Sequence, residues 1–248
     1  MRRLLMKKPL IVITGASSGF GAEMAKLFNA ENYPLLLIGR RIDKINALPL
    51  NFDNVLVKAV DVTDLTLFQE AIKEAENLFG NVDLMINNAG VMLLGNVWKQ
   101  EPAEWQTMLD TNVMGVLNGM KTVITGMMER KHGTIINISS IAGRKTFGNH
   151  AVYAASKFGV HALSETVREE VSAHNVRVMV MAPGAAETEL LTHITDQEAI
   201  ETYENWKKTM GGTTLDPTYV AKTVKYMYEL PQEITIREVL IAATNQDA

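Results

Sequence analysis

The amino-acid sequence predicts an α/β fold, with one doubly wound parallel sheet of seven strands and helices on both faces. Short apolar runs bounded by turn residues alternate along the chain with longer segments of helical periodicity. Several of the runs are apolar at nearly every position, which is typical of parallel strands that helices cover on both faces. The chain has 248 residues, of which 47% are apolar, enough for one sizeable core.

The individual elements follow from the same pattern. We predict strands at 10–14, 35–38, 55–60, 82–87, 134–139, 176–182 and 234–242. We predict helices near 20–31, 64–79, 101–130, 151–174 and 217–229. The regular alternation and the lack of a linker indicate a single domain over residues 1–248. Only 185–215 breaks the rhythm, and we predict that it is a mobile helical insertion that covers the site as a substrate lid.

Composition argues against several function classes. A net charge of −4 gives no basic surface for nucleic acid. Zero cysteines exclude thiolate metal sites, and the five histidines do not recur at metal-ligand spacing, so we expect no metal. No apolar run approaches the ~18 residues of a membrane span. Residues 1–8 are basic, but the apolar stretch 10–13 is too short for a signal peptide. Met6 would serve equally well as the start, and we expect a cytoplasmic protein.

A glycine-rich segment joins the first predicted strand to the first predicted helix. It reads Thr14-Gly15-Ala16-Ser17-Ser18-Gly19-Phe20-Gly21. Such glycines permit a tight turn and let backbone N–H groups approach a pyrophosphate at the helix N-terminus. An ATP-binding P-loop would end in Lys followed by Ser or Thr, which is absent here. A plain tight turn is the alternative interpretation.

This loop, together with the motifs after it, resembles the short-chain dehydrogenase/reductase family. The further motifs occur in the family's order: Asp61-Val62, Asn87-Asn88-Ala89-Gly90, Asn112, Ser139-Ser140, Tyr153 with Lys157, and Pro183-Gly184. The resemblance covers nearly the whole chain. It implies a Rossmann fold and an oxidoreductase that transfers a hydride between a nicotinamide cofactor and a carbonyl or alcohol.

The chemistry of hydride transfer indicates which residues would act. A reduced carbonyl needs a proton from a positioned acid. Tyr153 and Lys157 are four residues apart and therefore share one face of a helix. Alone, such a pair is usually a surface coincidence, but here it follows Ser140 at the family's spacing. The resemblance implies that Tyr153 exchanges the proton, Lys157 lowers its pKa and holds the nicotinamide ribose, Ser140 binds the substrate oxygen, and Asn112 keeps a water and the lysine proton relay in place.

The end of the second predicted strand indicates the cofactor. An NAD enzyme of this architecture has an acidic residue there, whereas this chain has Arg40 followed by Arg41. A guanidinium can bind a 2′-phosphate with paired hydrogen bonds, so NADP(H) is favoured over NAD(H), although a solvated basic turn is the alternative. The predicted cofactor-binding residues are Gly15, Ser17, Ser18, Gly19, Phe20, Gly21, Arg40, Arg41, Asp61, Val62, Asn88, Ala89, Gly90, Tyr153, Lys157, Pro183, Gly184 and Thr188.

The resemblance leaves two functions open. One is an NADP(H)-dependent reductase of aldehydes, ketones or 3-hydroxy acids, similar to bacterial 3-hydroxy-acid and small-aldehyde reductases. The other is an NADPH-binding protein that enhances the cofactor's blue fluorescence or senses it with little turnover. The intact Ser140, Tyr153 and Lys157 set argues against the second, because binding alone needs no acid and base. The substrate pocket should come from 92–94, 144–150 and 185–215.

Two further predictions concern the surroundings of the site. His150 should line the substrate pocket, where its protonated form would favour a carboxylate with Arg144 as a more distant helper; the alternative is a solvent-facing histidine that caps the next helix. The chain should also form a homo-oligomer, with a tetramer as the prediction. The helices near 101–130 and 151–174 carry apolar residues on more than one face, which symmetric association would bury.

Overall fold

The computed structural model describes residues 8–194, 196–209 and 212–246. They form one parallel sheet of seven strands in the order β3-β2-β1-β4-β5-β6-β7, which confirms the predicted fold class. The strands are β1 Leu10–Thr14, β2 Leu35–Ile38, β3 Val55–Lys58, β4 Val82–Asn87, β5 Gly133–Ile138, β6 Val176–Pro183 and β7 Glu238–Ile241. Residues 1–7, which include most of the basic segment and Met6, lie outside this description, as do residues 195, 210 and 211 of the predicted insertion.

Helices cover both faces of the sheet. They are α1 Gly19–Ala30, α2 Ile42–Asn46, α3 Leu65–Phe79, α4 Pro102–Leu109, α5 Gly115–Arg130, α6 Ala151–Val171, α7 Gln197–Thr209 and α8 Pro217–Glu229. The predicted insertion at 185–215 contains α7 and a 3₁₀ helix, Glu189–His193. None of the helices described here is both long and apolar enough to cross a membrane.

The strands β1 to β6 contribute to two separate cores because alternate side chains point to opposite faces. In β1, Ile11 and Ile13 pack with α1 and α8 on one face. Leu10 and Val12 pack with α3 and α5 on the other face. All four side chains are fully buried. The strands are therefore apolar at nearly every position, which is the pattern that predicted them.

The strand order reverses at β1, and this reversal positions the site. β2 lies on one side of β1 and β4 on the other, so the connections leaving β1 and β4 diverge to opposite faces. A crevice opens at such a point beyond the carboxyl ends of the strands, where ligands of open α/β sheets bind. The residues that follow β1, β2, β4 and β5 all meet at this edge.

Two predicted strands are shorter in the structure. β3 pairs only with β2, and their register ends at Ile38 opposite Lys58, so the strand does not reach residue 60. β7 begins at Glu238 rather than at 234. Before that point, the Ile234 N–H donates to the Pro231 carbonyl in a turn, and the Ile234 carbonyl accepts from the buried Arg177 guanidinium. These backbone groups are thus not available to the sheet.

The prediction of one continuous α-helix over 101–130 is wrong, because the segment is interrupted. Between α4 and α5 lies a π-helical turn, Asp110–Met114, in which the backbone is wider by one residue. The turn contains Asn112, one of the predicted catalytic residues. The helical periodicity of the sequence does not distinguish this turn from a regular α-helix.

Candidate active site

Two cavities meet at the carboxyl edge of the sheet. The first runs along the ends of β1, β2 and β4 from the Arg40–Arg41 pair to Tyr153 and Lys157. The second lies between the loop after β5 and the insertion that contains α7. Tyr153 lines both of them, together with Phe20, Ser139, Thr188 and Leu190. The two cavities therefore share a boundary at the phenol of Tyr153.

The glycine-rich loop borders the first cavity because its backbone adopts conformations that side chains would block. Gly15 and Gly19 have φ angles of +65° and +52°, in the left-handed region that favours glycine. A Cβ on Gly15 would lie 2.8 Å from the Ala89 Cα. A Cβ on Gly21 would collide with the carbonyl oxygen of Gly15. The absence of a side chain at Gly21 therefore allows the first turn of α1 to pack against the Gly15 carbonyl. Gly21 itself does not line the cavity.

Asn88 and Thr14 hold this loop against the end of β4. The Asn88 side chain donates to the carbonyls of Thr14 and Gly15 at 2.9 and 3.2 Å. In return, the Thr14 hydroxyl accepts from the backbone N–H groups of Asn88 and Ala89 at 2.9 and 3.0 Å. Asn88 therefore braces the loop and also lines the cavity.

The opposite end of the first cavity is strongly charged. The Arg41 guanidinium donates to the hydroxyls of Ser17 and Ser18 at 3.1 and 3.0 Å, and to Glu189 at 2.9 Å. Lys44 donates to the same carboxylate at 2.7 Å. Lys44 and Arg41 lower the pKa of Glu189. Arg40 is freer, since its side chain is 65% exposed and 3.8 Å from Asp61.

Tyr153 and Lys157 lie on the first turns of α6 and are both buried. The Lys157 Nζ donates to the Ile138 carbonyl at 2.9 Å and lies 5.8 Å from the centre of the Tyr153 ring. Burial raises the pKa of Tyr153 to about 12, although the Ser140 side chain acts in the opposite direction. Burial lowers the pKa of Lys157 to about 8. The tyrosine pKa is thus displaced upward here, opposite to the direction that the sequence predicted.

Asn112 lies behind the two cavities rather than in them. Its amide oxygen accepts from the Val91 N–H at 2.8 Å, and its amide nitrogen donates to the Val91 carbonyl at 2.9 Å and to Ser156 at 3.0 Å. Ser156 in turn donates to the Tyr153 carbonyl at 2.7 Å. Asn112 therefore ties the π-helical turn to the strand end and to α6; its predicted relay role stays a prediction.

The second cavity is lined mostly by apolar and aromatic side chains. All three segments predicted to form the substrate pocket contribute to this cavity. The first contributes Met92 and Leu94, the second contributes residues 147–150, and the insertion contributes side chains between positions 185 and 206. His150 lies in this wall, with its ring 6.2 Å from that of Tyr153. Pro183 and Gly184, predicted beside the cofactor, also border this cavity and not the first.

Arg144 was predicted as a helper for anionic substrates, and this is wrong. Its guanidinium forms an ion pair with Glu238 of β7 and does not line the second cavity. The Arg144 Nε donates to Glu238 at 2.9 Å. Burial lowers the pKa of His150, so the predicted protonated imidazole is also disfavoured at neutral pH.

Comparison with known proteins identifies the chain's relatives. A family model described as short chain dehydrogenase matches residues 9–199. The chain belongs to the short-chain dehydrogenase family. An uncharacterized oxidoreductase of Staphylococcus saprophyticus is 35% identical over 249 residues, which cover 97% of this chain and 98% of that protein.

Solved structures of short-chain dehydrogenases share the architecture. The closed form of serine dehydrogenase complexed with NADP+ matches with a TM-score of 0.88 and 30% identity, covering 96% of both chains. ElxO with NADP bound matches with a TM-score of 0.81 and 26% identity, covering 94% of this chain and 97% of that one. Both relatives were thus solved with the phosphorylated dinucleotide.

Sequence reasoning missed several residues around the first cavity of this short-chain dehydrogenase. They are Gly39, Val60, Val91, Thr111, Ile138, Ser139, Glu189 and Leu190. Gly39 and Ser139 directly follow a strand and Ile138 ends one, and that position alone would have indicated these three. Glu189 has no such signal, because its contact with Arg41 spans 148 residues of sequence. No group of three or more potential ligand side chains in the described ranges could hold a metal ion.

The bracing by Asn112 predicts a loss of stability on substitution. Asn112→Ala leaves the buried N–H and C=O of Val91 without partners, and should lower the free energy of unfolding by about 2 kcal/mol or more. Asn96→Ala, at a half-buried asparagine whose side chain donates to that of Asn149, should cost less than about 1 kcal/mol. Urea denaturation measures both. Unchanged stability in Asn112→Ala would contradict the bracing role.

The buried Lys157 predicts a pH-dependent stability. Its pKa of about 8 in the folded chain is below the 10.5 of an exposed lysine, so between these values the unfolded chain binds more protons. The free energy of unfolding should therefore rise from pH 8 to 10, relative to Lys157→Met, by about 2 kcal/mol. Lys121→Met, at an exposed lysine of α5, should give a curve parallel to the wild type. Parallel curves for Lys157→Met would refute the lowered pKa.

Proposed function

We propose that the chain is an NADP(H)-dependent oxidoreductase that interconverts a carbonyl and an alcohol, with Tyr153 as the proton-transfer residue. The observation that carries this proposal is the position of Tyr153 at the boundary of two cavities. One cavity has the glycine loop and paired arginines that suit a dinucleotide. The other adjoins Ser140 and has room for a second molecule. A protein that only binds NADPH has no need of the second cavity.

The residues of the first cavity fit a phosphorylated dinucleotide. Ser18 precedes α1 without a side-chain cap, which leaves the N–H groups of the helix start free for a pyrophosphate. Gly15 and Gly19 keep this surface clear of side chains. Arg40 and Arg41 supply cations for the 2′-phosphate. Lys157, at the other end, would hold the nicotinamide ribose. The NADP-bound structures of relatives support this cofactor.

When NADPH is bound, it supplies the hydride; the chain's own residues supply the proton. Ser140 and Tyr153 would hold the substrate oxygen between their hydroxyls. As negative charge develops on that oxygen, the Tyr153 phenol donates its proton to it. The resulting tyrosinate is costly in a buried site, and the neighbouring Lys157 ammonium offsets that cost. A carbonyl bound beside Tyr153 and Lys157 can therefore receive its proton as it receives the hydride.

Replacement of the phenol tests this assignment. Tyr153→Phe removes the proton donor but keeps the ring, so we expect kcat to fall by about a thousandfold while NADPH affinity changes little. Tyr219→Phe, at an exposed tyrosine of α8, should keep full activity. NADPH oxidation with a panel of carbonyl compounds and fluorescence titration with NADPH provide the two readouts. A Tyr153→Phe variant of near-normal kcat would place the donor elsewhere.

The cofactor preference is assigned to Arg40. Arg40→Asp replaces a cation for the 2′-phosphate by a like charge, so NADPH should weaken relative to NADH by about 2 kcal/mol, or roughly thirtyfold. Arg237→Asp changes the same charge at a side chain of equal exposure, 66%, outside both cavities. It should leave the ratio of dissociation constants unchanged. If Arg40→Asp also keeps that ratio, Arg40 does not read the phosphate.

We also propose a homotetramer. Leu109, Met114 and Phe158 are large apolar side chains exposed on α4, the π-helical turn and α6, the region for which the sequence predicted a symmetric contact. Light scattering at micromolar concentration should give four times the chain mass. Met114→Glu with Phe158→Glu should shift the protein to smaller species, whereas a monomeric wild type would contradict the proposal.

A further inference from the structure

Four aromatic side chains form a continuous wall in the second cavity. Phe147 and His150 precede α6, and Tyr203 and Trp206 lie on α7. Their ring centroids are separated by 5.6 Å for Phe147 and His150, 6.2 Å for His150 and Tyr203, 5.3 Å for Tyr203 and Trp206, and 5.7 Å for Phe147 and Trp206. The four rings therefore form a closed set that joins the loop after β5 to the insertion.

The wall begins beside the proton donor and extends away from it. The His150 ring is 6.2 Å from the Tyr153 ring. Trp206 lies farther along the wall, where its ring contacts those of Phe147 and Tyr203. A carbonyl held at Ser140 and Tyr153 would thus direct its substituent along these rings. The cavity volume of about 220 Å³ exceeds the roughly 150 Å³ of an apolar cavity that binds benzene, so one ring with a small substituent fits.

No Lys, Arg, Asp or Glu lines this cavity within the part of the chain that the structure describes. Apart from Lys157, whose ammonium lies 5.8 Å from the centre of the Tyr153 ring and donates to the Ile138 carbonyl, two lysines stand against the rings rather than in the lining. Lys145 is 5.7 Å from the centre of the Phe147 ring, and Lys207 is 6.0 Å from that of Tyr203. Lys207 is also paired with Glu204 at 2.9 Å. Neither cation is placed to receive a bound carboxylate.

The polar groups of the lining also lack a positive charge. Burial lowers the pKa of His150, which favours the neutral ring. In that form the Nδ1, 2.6 Å from the Gly148 carbonyl, carries the proton and the other nitrogen is left as an acceptor. Asn149 accepts from Asn96, and Ser139 donates to the Lys157 carbonyl. A carboxylate entering this cavity would lose its hydration without gaining a cation, which is costly.

We infer that the substrate is an uncharged aryl or cyclic ketone or aldehyde, bound with its ring against Phe147, Tyr203 and Trp206, and that carboxylate substrates are rejected. The inference rests on the proposed function, since it names the substrate class of the same site. It keeps the aldehydes and ketones of the sequence-based expectation and excludes the 3-hydroxy acids. The cause is the aromatic and uncharged lining, which the order of motifs along the chain does not reveal.

Matched substrates separate charge from shape. Ethyl phenylglyoxylate and phenylglyoxylate present the same aryl ketone, the first as a neutral ester and the second as an anion. With NADPH, the ester should have a kcat/KM higher by at least one to two orders of magnitude, because a carboxylate buried without a cation is disfavoured. Ethyl pyruvate, a neutral ester without the ring, should have a higher KM than ethyl phenylglyoxylate. Equal kcat/KM for ester and acid would overturn the inference.

Variants test the wall itself. Trp206→Ala should raise the KM for ethyl phenylglyoxylate about tenfold and change that for ethyl pyruvate much less, because only the first has a ring to contact it. Trp98→Ala, at a tryptophan that is 79% exposed and lines neither cavity, should change neither. Leu191→Arg adds a cation to the lining and should raise kcat/KM for phenylglyoxylate. If Trp206→Ala leaves both KM values unaltered and Leu191→Arg leaves kcat/KM for phenylglyoxylate unaltered, the cavity does not select the substrate.

A binding measurement separates this inference from the proposed function. Quenching of tryptophan fluorescence by ethyl mandelate, the alcohol product, is measured with NADP+ present and compared with mandelate. Quenching by the ester alone, lost in Trp206→Ala, supports the aromatic pocket even if no compound oxidises NADPH, in which case only the proposed function fails. Turnover with equal quenching by ester and acid leaves the function standing and rejects the inference.

Discussion

The close contact between the ends of β1 and β4 is the constraint on which the site depends. Gly15 approaches Ala89 so closely that no side chain fits, and Asn88 and Thr14 close this contact with four hydrogen bonds. Because the sheet reverses its order at β1, the helices leave in opposite directions on either side of this contact. The crevice is thus a product of topology, and the hydrogen bonds fix its floor.

Burial gives the site its chemical character. Tyr153 and Lys157 stand on one face of α6, each with a pKa displaced toward its neutral form. A buried phenol gives up its proton only where a nearby charge compensates, so the reactivity of the pair is linked to what occupies the two cavities. The second cavity is lined mostly by apolar and aromatic side chains, and no Lys or Arg side chain lines it within the described residues. An anion is therefore disfavoured there.

Much of the fold and of the candidate site could be predicted from sequence, for identifiable reasons. Strands buried on both faces are apolar throughout, and the residues that follow them gather at one edge, so the glycine loop, Asn88, Tyr153 and Lys157 could be placed together. The contact between Glu189 and Arg41 could not, because it joins distant segments through side chains alone. The direction of the Tyr153 pKa was wrong because i,i+4 spacing reveals proximity and says nothing of desolvation.

The π-helical turn at Asp110–Met114 affects how this chain can vary in length. Residues on an α-helix are rotated by about 100° from one to the next. Removal of one residue here would restore a regular helix, leave α4 and α5 continuous, and turn Asn112 away from Val91. Most solvent-facing loops tolerate the deletion of one residue. Here the same deletion would break the hydrogen bonds by which Asn112 links Val91 to Ser156 of α6. We therefore expect the loss of one residue from this segment to be more damaging than a substitution at one of its exposed positions.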